Sequence, residues 1–546
     1  MIKKFLALLV VLFFLVFVPP PSSAEQLTIL HTNDTHSHLY SFGPMNRYGG
    51  IARMSYLIKK LKRKNGWQNR GVIALNSGDV FVGTFAFNKY LGYAELKLME
   101  GLYDSMALGN HEFDLGIDNL TAIISGVATG EDSVQLPMLC ANIKNLDPGH
   151  PLRLFVQPYR ILQAGSLKIG LTGVVTTDPI NYSEEVNAIL TDPYQAAGEA
   201  AALLKQQGCD IVICQSHLGK IADVQGLAWV DGIDVIVGGH SHDAIAEPLI
   251  VNGKIIVQAG EFGKFLGELV VDVTQEGVEC VSYKLHPIDW SVRRDLTLLR
   301  NLYNLRKGIE QDPRFGPVYT TPIAWAKYNH EEHWEEGNPH RDTPLGNLVA
   351  DAIRNGVEDG GFSLGPYPLA ALEAMGYIAH RIYKGKVVGN DVMRSVPYGY
   401  DPSSGLGFKI HLVLLAGAQI LAGLEYTVSM VEYTDEISLQ ASGITFEYDS
   451  AKSPASTLDE ILMGMGRIDP SSVRVNGDPL DPQGLYQVAM NEQLVKFLKS
   501  LGMEPIMGMD VDTGLFLYSV VRDYMQKLKI LEYVSEGRII DRAFLE

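Results

Sequence analysis

Five short apolar runs in the first half of the chain each end in a turn of small residues that carries an Asp, an Asn or a His. They are Leu27–His31, Val72–Leu75, Met106–Leu108, Ile211–Cys214 and Ile233–Val237. Runs this short and apolar read as buried strands. Helical patterns separate them, among them the Leu-, Ile- and Lys-rich stretch from Gly49 to Lys64 and Ala196–Gln207. That alternation predicts a layered α/β fold. Ligand sites in such sheets gather at strand ends, so the five turns are expected to meet.

Asp34 and His36 leave the first run, and residues two apart in an extended segment aim at one point. Asp79 closes the turn Asn76-Ser77-Gly78-Asp79 after the second. Gly109-Asn110-His111 and then Asp114 follow the third, Gln215-Ser216-His217 closes the fourth, and Gly238-Gly239-His240-Ser241-His242 closes the fifth. Asp34, His36, Asp79, Asn110, His217, His240 and His242 thus offer mixed oxygen and imidazole donors. Such a set suits Zn, Mn, Fe or Co rather than Ca or a thiolate-bound metal. These side chains are too many for one tetrahedral site and suit two divalent ions sharing a carboxylate, for which Asp79 is the natural bridge. Two ions about 3.5–4 Å apart stabilise both oxygens of an in-line phosphoryl displacement. His111 can donate to a phosphoryl oxygen, with Asp114 fixing its tautomer and favouring its protonated form. His31, His38 and His150 fall outside the pattern and read as ordinary hydrogen-bonded residues.

At 546 residues the chain exceeds what one core usually serves. A net charge of -18 argues against a nucleic-acid polymer or anionic lipid as the main partner. An acidic protein that handles phosphate esters needs a local cation, and bound metal supplies it. Lys3 and Lys4, the apolar run Phe5–Val18, Pro19–Pro21 and Ser22-Ser23-Ala24 have the layout of a secretory signal over residues 1–24. The apolar run is shorter than the roughly 20 residues of a membrane span. The mature protein is therefore expected to be exported, periplasmic or extracellular, without a stable membrane anchor. Cys140, Cys209, Cys214 and Cys280 form no C-x-x-C pair, and they read equally as small buried hydrophobes or as a bridge. Asp295–Gln311 has helical spacing, which places a linker helix at 295–314 between a domain at 25–294 and a second at 315–546. The second opens a helix at Thr343-Pro344-Leu345 and turns strand-rich over Ile437–Tyr448 and Arg474–Met490.

The order D-x-H, G-D, G-N-H-E-F-D, S-H, G-H-S-H resembles the calcineurin-like metallophosphoesterases. The full Gly-Asn-His-Glu-Phe-Asp string, with Thr343-Pro-Leu-Gly-Asn-Leu-Val-Ala-Asp-Ala352, resembles within them the 5'-nucleotidase family. That family also includes exported UDP-sugar hydrolases and cyclic-nucleotide phosphodiesterases. The resemblance implies a four-layered α/β/β/α sandwich, a linker helix about which the domains move, and a smaller α+β C-terminal substrate-binding domain. It implies that Asp34, His36, Asp79 and His242 hold one metal, and Asp79, Asn110, His217 and His240 the other. His242 stands where some relatives have Gln. His111 and Asp114 match the catalytic dyad. The implied reaction releases phosphate from small phosphomonoesters, foremost 5'-nucleotides, by in-line attack of a metal-bound hydroxide.

The C-terminal lobe departs from the family. Arg341 and Asn347 match substrate-holding positions, and Tyr398 replaces the stacking Phe in Pro397-Tyr398-Gly399-Tyr400. The N-G-G-G-I-R loop has become Ala374–Ala379, without its Arg, although His380 and Arg381 follow. Gln493 stands at the second stacking position, with Tyr377, Tyr400 and Phe497 as substitute rings or as core residues. The alternatives are a phosphodiesterase or diphosphatase on 2',3'-cyclic nucleotides or nucleotide sugars, a thiosulfate-ester hydrolase, or a binding module whose lobe recognises a non-nucleotide ligand.

Overall fold

The computed structural model describes residues 25–68, 70–178, 182–333, 341–432 and 436–544, so the signal expected at 1–24 lies outside the described residues. The first domain is built from β1 (Glu25–Thr32), β2 (Gly71–Asn76), β3 (Ser105–Ala107), β4 (Met138–Leu139), β5 (Val156–Gln157), β6 (Tyr159–Ala164) and β7 (Leu167–Val175). The remaining strands are β8 (Ile211–His217), β9 (Val235–Val237), β10 (Leu249–Val251), β11 (Lys254–Val257), β12 (Phe265–Val273) and β13 (Val278–Pro287). They form two sheets, ordered β13-β12-β1-β2-β3-β4-β5 and β10-β11-β9-β8-β7-β6.

Period-two alternation sorts each strand's side chains between two cores. Leu27, Ile29, Ile73 and Leu75 of the first sheet meet Ile169, Leu171, Ile213 and Val235 of the second in a core shared by the two sheets. Leu30 and Ala74 point the other way, into the core that holds Leu57, Ile58 and Leu61 of helix α1 (Ile51–Trp67). On the opposite outer face, Val212, Cys214 and Ile236 pack with Ala197, Ala200 and Leu204 of the helix Pro193–Gln206. The layers are therefore α/β/β/α. The parallel neighbours β1, β2 and β3, and likewise β7, β8 and β9, run the same way. Their C-terminal ends consequently open on one edge of the sandwich.

Asp295 caps the helix Leu296–Glu310, its side chain accepting from Thr297 N, and also accepts from Ser55 Oγ at 2.8 Å. Tyr40 and Tyr90 donate to the carbonyls of Leu302 and Leu305, so this helix lies against the first domain. In the second domain a five-stranded sheet carries the helix Pro344–Asp359, whose Thr343 cap accepts from Gly346 N. Leu348, Ala352 and Ile353 of that helix share a core with Ala371, Leu412 and Ala489 of the sheet. A second core around Leu421, Leu424, Val413 and Val488 fills the sheet's other face. The domains are joined by packing: Phe85 meets Phe315 at 4.9 Å and Tyr518 at 5.2 Å, and its N–H donates to Asn390 Oδ1. All four cysteines are free, three of them buried. Among the described residues no helix is long and apolar enough to cross a membrane.

Glu268 on β12 ties α1 to the sheet, accepting from Asn65 Nδ2 at 2.9 Å and His286 Nε2 at 2.7 Å. The His286 bond holds its carboxyl at about 2 against an ordinary 4.5, although burial works the other way. Stability from a depressed carboxyl is complete above its unfolded value and is lost as pH falls through the folded one. Unfolding curves should therefore show stability draining between pH 4.5 and 2. Glu268→Gln should be less stable than the parent at pH 7, and the gap should narrow across that window.

Candidate metal centre

Three of the five strand ends deliver their side chains through a backbone that ordinary residues avoid, while Asn110 is right-handed (φ -69°) and His217 is the last residue of β8. Asp34 (φ 47°), His36 (43°), Asp79 (52°), His240 (75°) and His242 (58°) all sit in the left-handed region. Non-glycine residues there cost on the order of 1–3 kcal/mol each and persist only where the surroundings over-determine them. The surroundings do so here. Asp34 N donates to Gly78 O and His36 N to Asp79 O, both at 3.0 Å, locking the first turn to the second. His240 N donates to both Asp34 carboxylate oxygens at 3.1 and 3.0 Å, tying the fifth turn to the first. Two glycines are required by close approach: a Cβ on Gly109 would collide with Asp79 Oδ1, and one on Gly239 would lie 2.7 Å from Ser77 O.

Six of the seven residues expected at the strand ends, all but Asn110, fall into close groups. Three groups of ligand atoms each fall within 4.8 Å of one another: Asp34–His36–His242, His36–Asp79–His111 and Asp79–His217–His240. Asp79 belongs to two of them. Asp34 and Asp79 are almost wholly buried. Burial works against the charge of Asp79, but His217, His111 and His36 hold its carboxyl well below the usual range.

The imidazole protons show what this crowding is for. A carbonyl can only accept, so His36 Nδ1 donates to Phe81 O and His217 Nδ1 to Ser77 O. His242 Nδ1 lies 2.9 Å from the Glu261 carboxylate and donates likewise. The Nε2 lone pairs are thereby turned inward. His36 Nε2 and His242 Nε2 face each other at 3.1 Å, and His217 Nε2 faces Asp79 Oδ2 at 3.1 Å. Lone pairs opposed at such distances repel unless a cation or a proton lies between them. His217 Nε2 and Asn110 Oδ1 are buried with no hydrogen-bond partner. This donor set fits divalent ions bound by nitrogen and oxygen.

His111 stands beside the cluster. Its Nδ1 pairs with Asp114 Oδ2 at 2.8 Å, and its backbone N–H donates to Asp79 Oδ1 at 3.0 Å. Burial opposes its charge, yet Asp114 and Asp79 outweigh it and raise the imidazole to about 10. The ring of Tyr398 stacks on His111 at 5.3 Å and 24°.

A family description as calcineurin-like phosphoesterase matches residues 27–244, and one as the 5'-nucleotidase C-terminal domain matches residues 325–496. The chain belongs to the 5'-nucleotidase family of calcineurin-like phosphoesterases. It is a phosphoester hydrolase. The 5'-nucleotidase of Mus musculus is 26% identical over 557 residues, covering 95% of this chain and 91% of that one. The trifunctional nucleotide phosphoesterase YfkN of Bacillus subtilis is 27% identical over 506 residues, which are 87% of this chain but only 32% of that protein. A crystal structure of a 5'-nucleotidase precursor from Thermus thermophilus is 28% identical with a TM-score of 0.78, covering 95% of this chain and 99% of the other. The sulfate thiohydrolase SoxB of the same organism shares the fold at 18% identity and a TM-score of 0.74 over 97% and 98% of the two chains.

The lobe positions named from family motifs fare unevenly. Tyr398 reaches the centre, and Tyr377 lies 6.2 Å from it, edge to face. Asn347, expected to hold substrate, has its Nδ2 engaged within the lobe and its Oδ1 buried without a partner. It is fully buried, and its amide donates to Asp342 Oδ2 at 2.7 Å and Val534 O at 3.1 Å. Arg341 precedes the helix Pro344–Asp359, and its carbonyl accepts from Gln440 Nε2. Gln493 lies in the first turn of the helix Glu492–Ser500. Phe497 packs on Tyr426, and Tyr400 on Phe87. His380 is buried against Phe262 and His38, while Arg381 pairs with Glu331 at 2.7 Å.

Sequence reasoning gave no role to Glu112, which proves to be the clamp of the centre. Its Oε2 accepts from Asp79 N (3.0 Å) and Gly109 N (2.6 Å), and its Oε1 from Val80 N (2.8 Å) and Phe81 N (3.1 Å). The Glu in G-N-H-E-F-D was the available signal. Glu112→Ala strands four buried N–H groups, each costing about 1–3 kcal/mol before the loops relax. We expect the metal-free protein to lose on the order of 3 kcal/mol of stability and most of its affinity for divalent ions. Denaturant unfolding and metal analysis check this, and unchanged values in both would remove the clamp role.

Proposed function

We propose that this protein is an exported dimetal phosphohydrolase that releases phosphate from phosphomonoesters, with 5'-nucleotides as the preferred class. The observation that carries the reading is Asp79: it serves two of the three ligand groups while its Oδ1 accepts from the backbone of His111. Asp34, His36, Asp79 and His242 would hold one ion, and Asp79, Asn110, His217 and His240 the other. Two such ions supply Lewis-acid charge at the phosphoryl group and activate the nucleophile.

The chain's own groups do the rest. Asp114 accepts from His111 Nδ1 and favours the protonated ring, whose Nε2–H is then the proton available to a phosphoryl oxygen. A positioned donor of that kind acts where charge develops in the transition state. Tyr398 covers the His111 ring and excludes water from that side. The nucleotide preference is supported by the names of the relatives and by the adjoining Tyr398 and Tyr377 rings. Export is supported by the pattern of residues 1–24. A specific observation also favours a second reading, in which the leaving group is not a nucleoside. Gln493 stands at the expected second stacking position, and Arg381, which follows the altered loop, is compensated by Glu331, which supports a lobe adapted to another leaving group.

The test compares phosphate release from 5'-AMP, a sugar phosphate and a phosphodiester by the chain reconstituted with Mn or Zn. Preference for 5'-AMP is expected, and preference for either of the others moves the assignment to the second reading. His111→Ala should lower kcat about 10²–10⁴-fold at unchanged metal content. Loss of metal in step with rate would make His111 a structural residue instead.

A further inference from the structure

The three inward-facing imidazoles are not oriented alike. His36 and His217 are set by backbone carbonyls, Phe81 O and Ser77 O, which no substitution removes. His242 is set by a side chain, Glu261, whose Oε2 lies 2.9 Å from Nδ1. His242 is also the more open ligand, with its side chain 31% exposed against 5% for His36.

Glu261 is itself held in place. Its other oxygen accepts from Lys264 Nζ at 2.6 Å, and Lys264 lies over the Phe262 ring at 5.1 Å. Its loop is pinned from the Asp34 turn on both sides. Asn33 Oδ1 accepts from Ala259 N at 2.8 Å, Asn33 Nδ2 donates to Gly260 O at 2.6 Å, and Phe262 N donates to Asp34 O at 2.6 Å. Phe262 takes a left-handed backbone (φ 54°) to do so, and its ring stands 5.8 Å from both His36 and His242. The loop that carries Glu261 is thus built onto the turn that carries Asp34, the partner of His242 at 3.4 Å.

We propose that Glu261 is a positioning residue: by accepting the Nδ1–H of His242 it commits the Nε2 lone pair to the Asp34–His36–His242 group and sets how tightly that group holds its cation. The inference rests on the two-ion reading above. Partners of this kind to a metal-bound histidine change metal affinity about 10–100-fold when removed. The group that depends on a replaceable carboxylate is then the one that empties first.

The experiment titrates the metal-free full chain with Mn²⁺ alone, read by calorimetry and by electron paramagnetic resonance, which separates coupled pairs from single ions. The parent should bind two ions and give a coupled signal. Glu261→Ala should keep one and weaken the other about 10–100-fold, giving a single-ion signal at low Mn²⁺. The isosteric Glu261→Gln keeps a single acceptor, for which Nδ1–H and Lys264 Nζ compete, and should fall between the two. His242→Ala should weaken the same ion, and adding Glu261→Ala to it should change nothing further, because the two act in series. Parental binding of both ions by Glu261→Ala, or additive losses in the double variant, overturns the role of Glu261 alone. Absence of Mn²⁺ binding in the parent overturns the two-ion reading as well.

Discussion

Four backbone N–H groups from two separate turns converge on the carboxylate of Glu112. Everything in the centre depends on that clamp, because Asp79 and Asn110 sit on those two turns. A carboxylate buried this deeply loses hydration that only several good hydrogen bonds offset. Burial raises the Glu112 carboxyl to about 7, with the charge of Asp79 adding to the effect and the N–H groups opposing it. The clamp fixes the distance between the turns, and with it the distance from Asp79 to His111. A shared carboxylate bridges two ions only where that distance is set in advance.

The left-handed residues follow from the same demand. A strand delivers side chains to alternate faces, and neither face of a sheet points along the strand axis. Turning Asp34, His36, Asp79, His240 and His242 onto one spot beyond the strand ends requires a reversal of the backbone at each. Glycine would make that reversal cheaply but carries no ligand. The cost is therefore borne by the hydrogen bonds that stitch turn to turn, from Asp34 N to Gly78 O and from His240 N to Asp34. The glycines stand instead where the turns touch, at Gly109 and Gly239, and leave room for their neighbours.

The convergence of the Asp and His candidates was legible in the sequence because each lies within a few residues of an apolar run, where local pattern and position in the fold coincide. The strands themselves were legible for the same reason: Met106–Leu108 is shifted by one, to Ser105–Ala107, while the run Ile211–Cys214 continues three residues further, through the expected turn to His217. Strands as short as Met138–Leu139 and Val156–Gln157 have no period to read. Glu112 and Glu261 stayed silent because their roles lie in their partners. Glu112 gathers groups about 30 residues upstream, and the Glu261 loop is held by Asn33 from 227 residues away. Asn347 shows the converse. Its motif position is family-like, but a motif carries no record of burial, and packing directs its Nδ2 to Asp342 and Val534.

Tyr398 joins the second domain to the chemistry of the first, and the domain packing decides what it can do. The Phe85 contacts with Phe315 and Tyr518, and the bond to Asn390, set the lobe where the Tyr398 ring lies on His111. One face of the ring is thereby taken. A base stacked on Tyr398 must use the opposite face, or the contact with His111 must open first. Under the proposed reading the metals and His111 would act on the phosphoryl group, which every phosphomonoester shares, so they would not distinguish one leaving group from another. Discrimination would then fall to the lobe, where Tyr398 lies on His111, Gln493 sits in the first turn of the helix Glu492–Ser500, and Arg381 pairs with Glu331. On that reading substrate choice would rest on how the lobe sits over His111 and Asp114, and the strand-end cluster beneath it would leave that choice open.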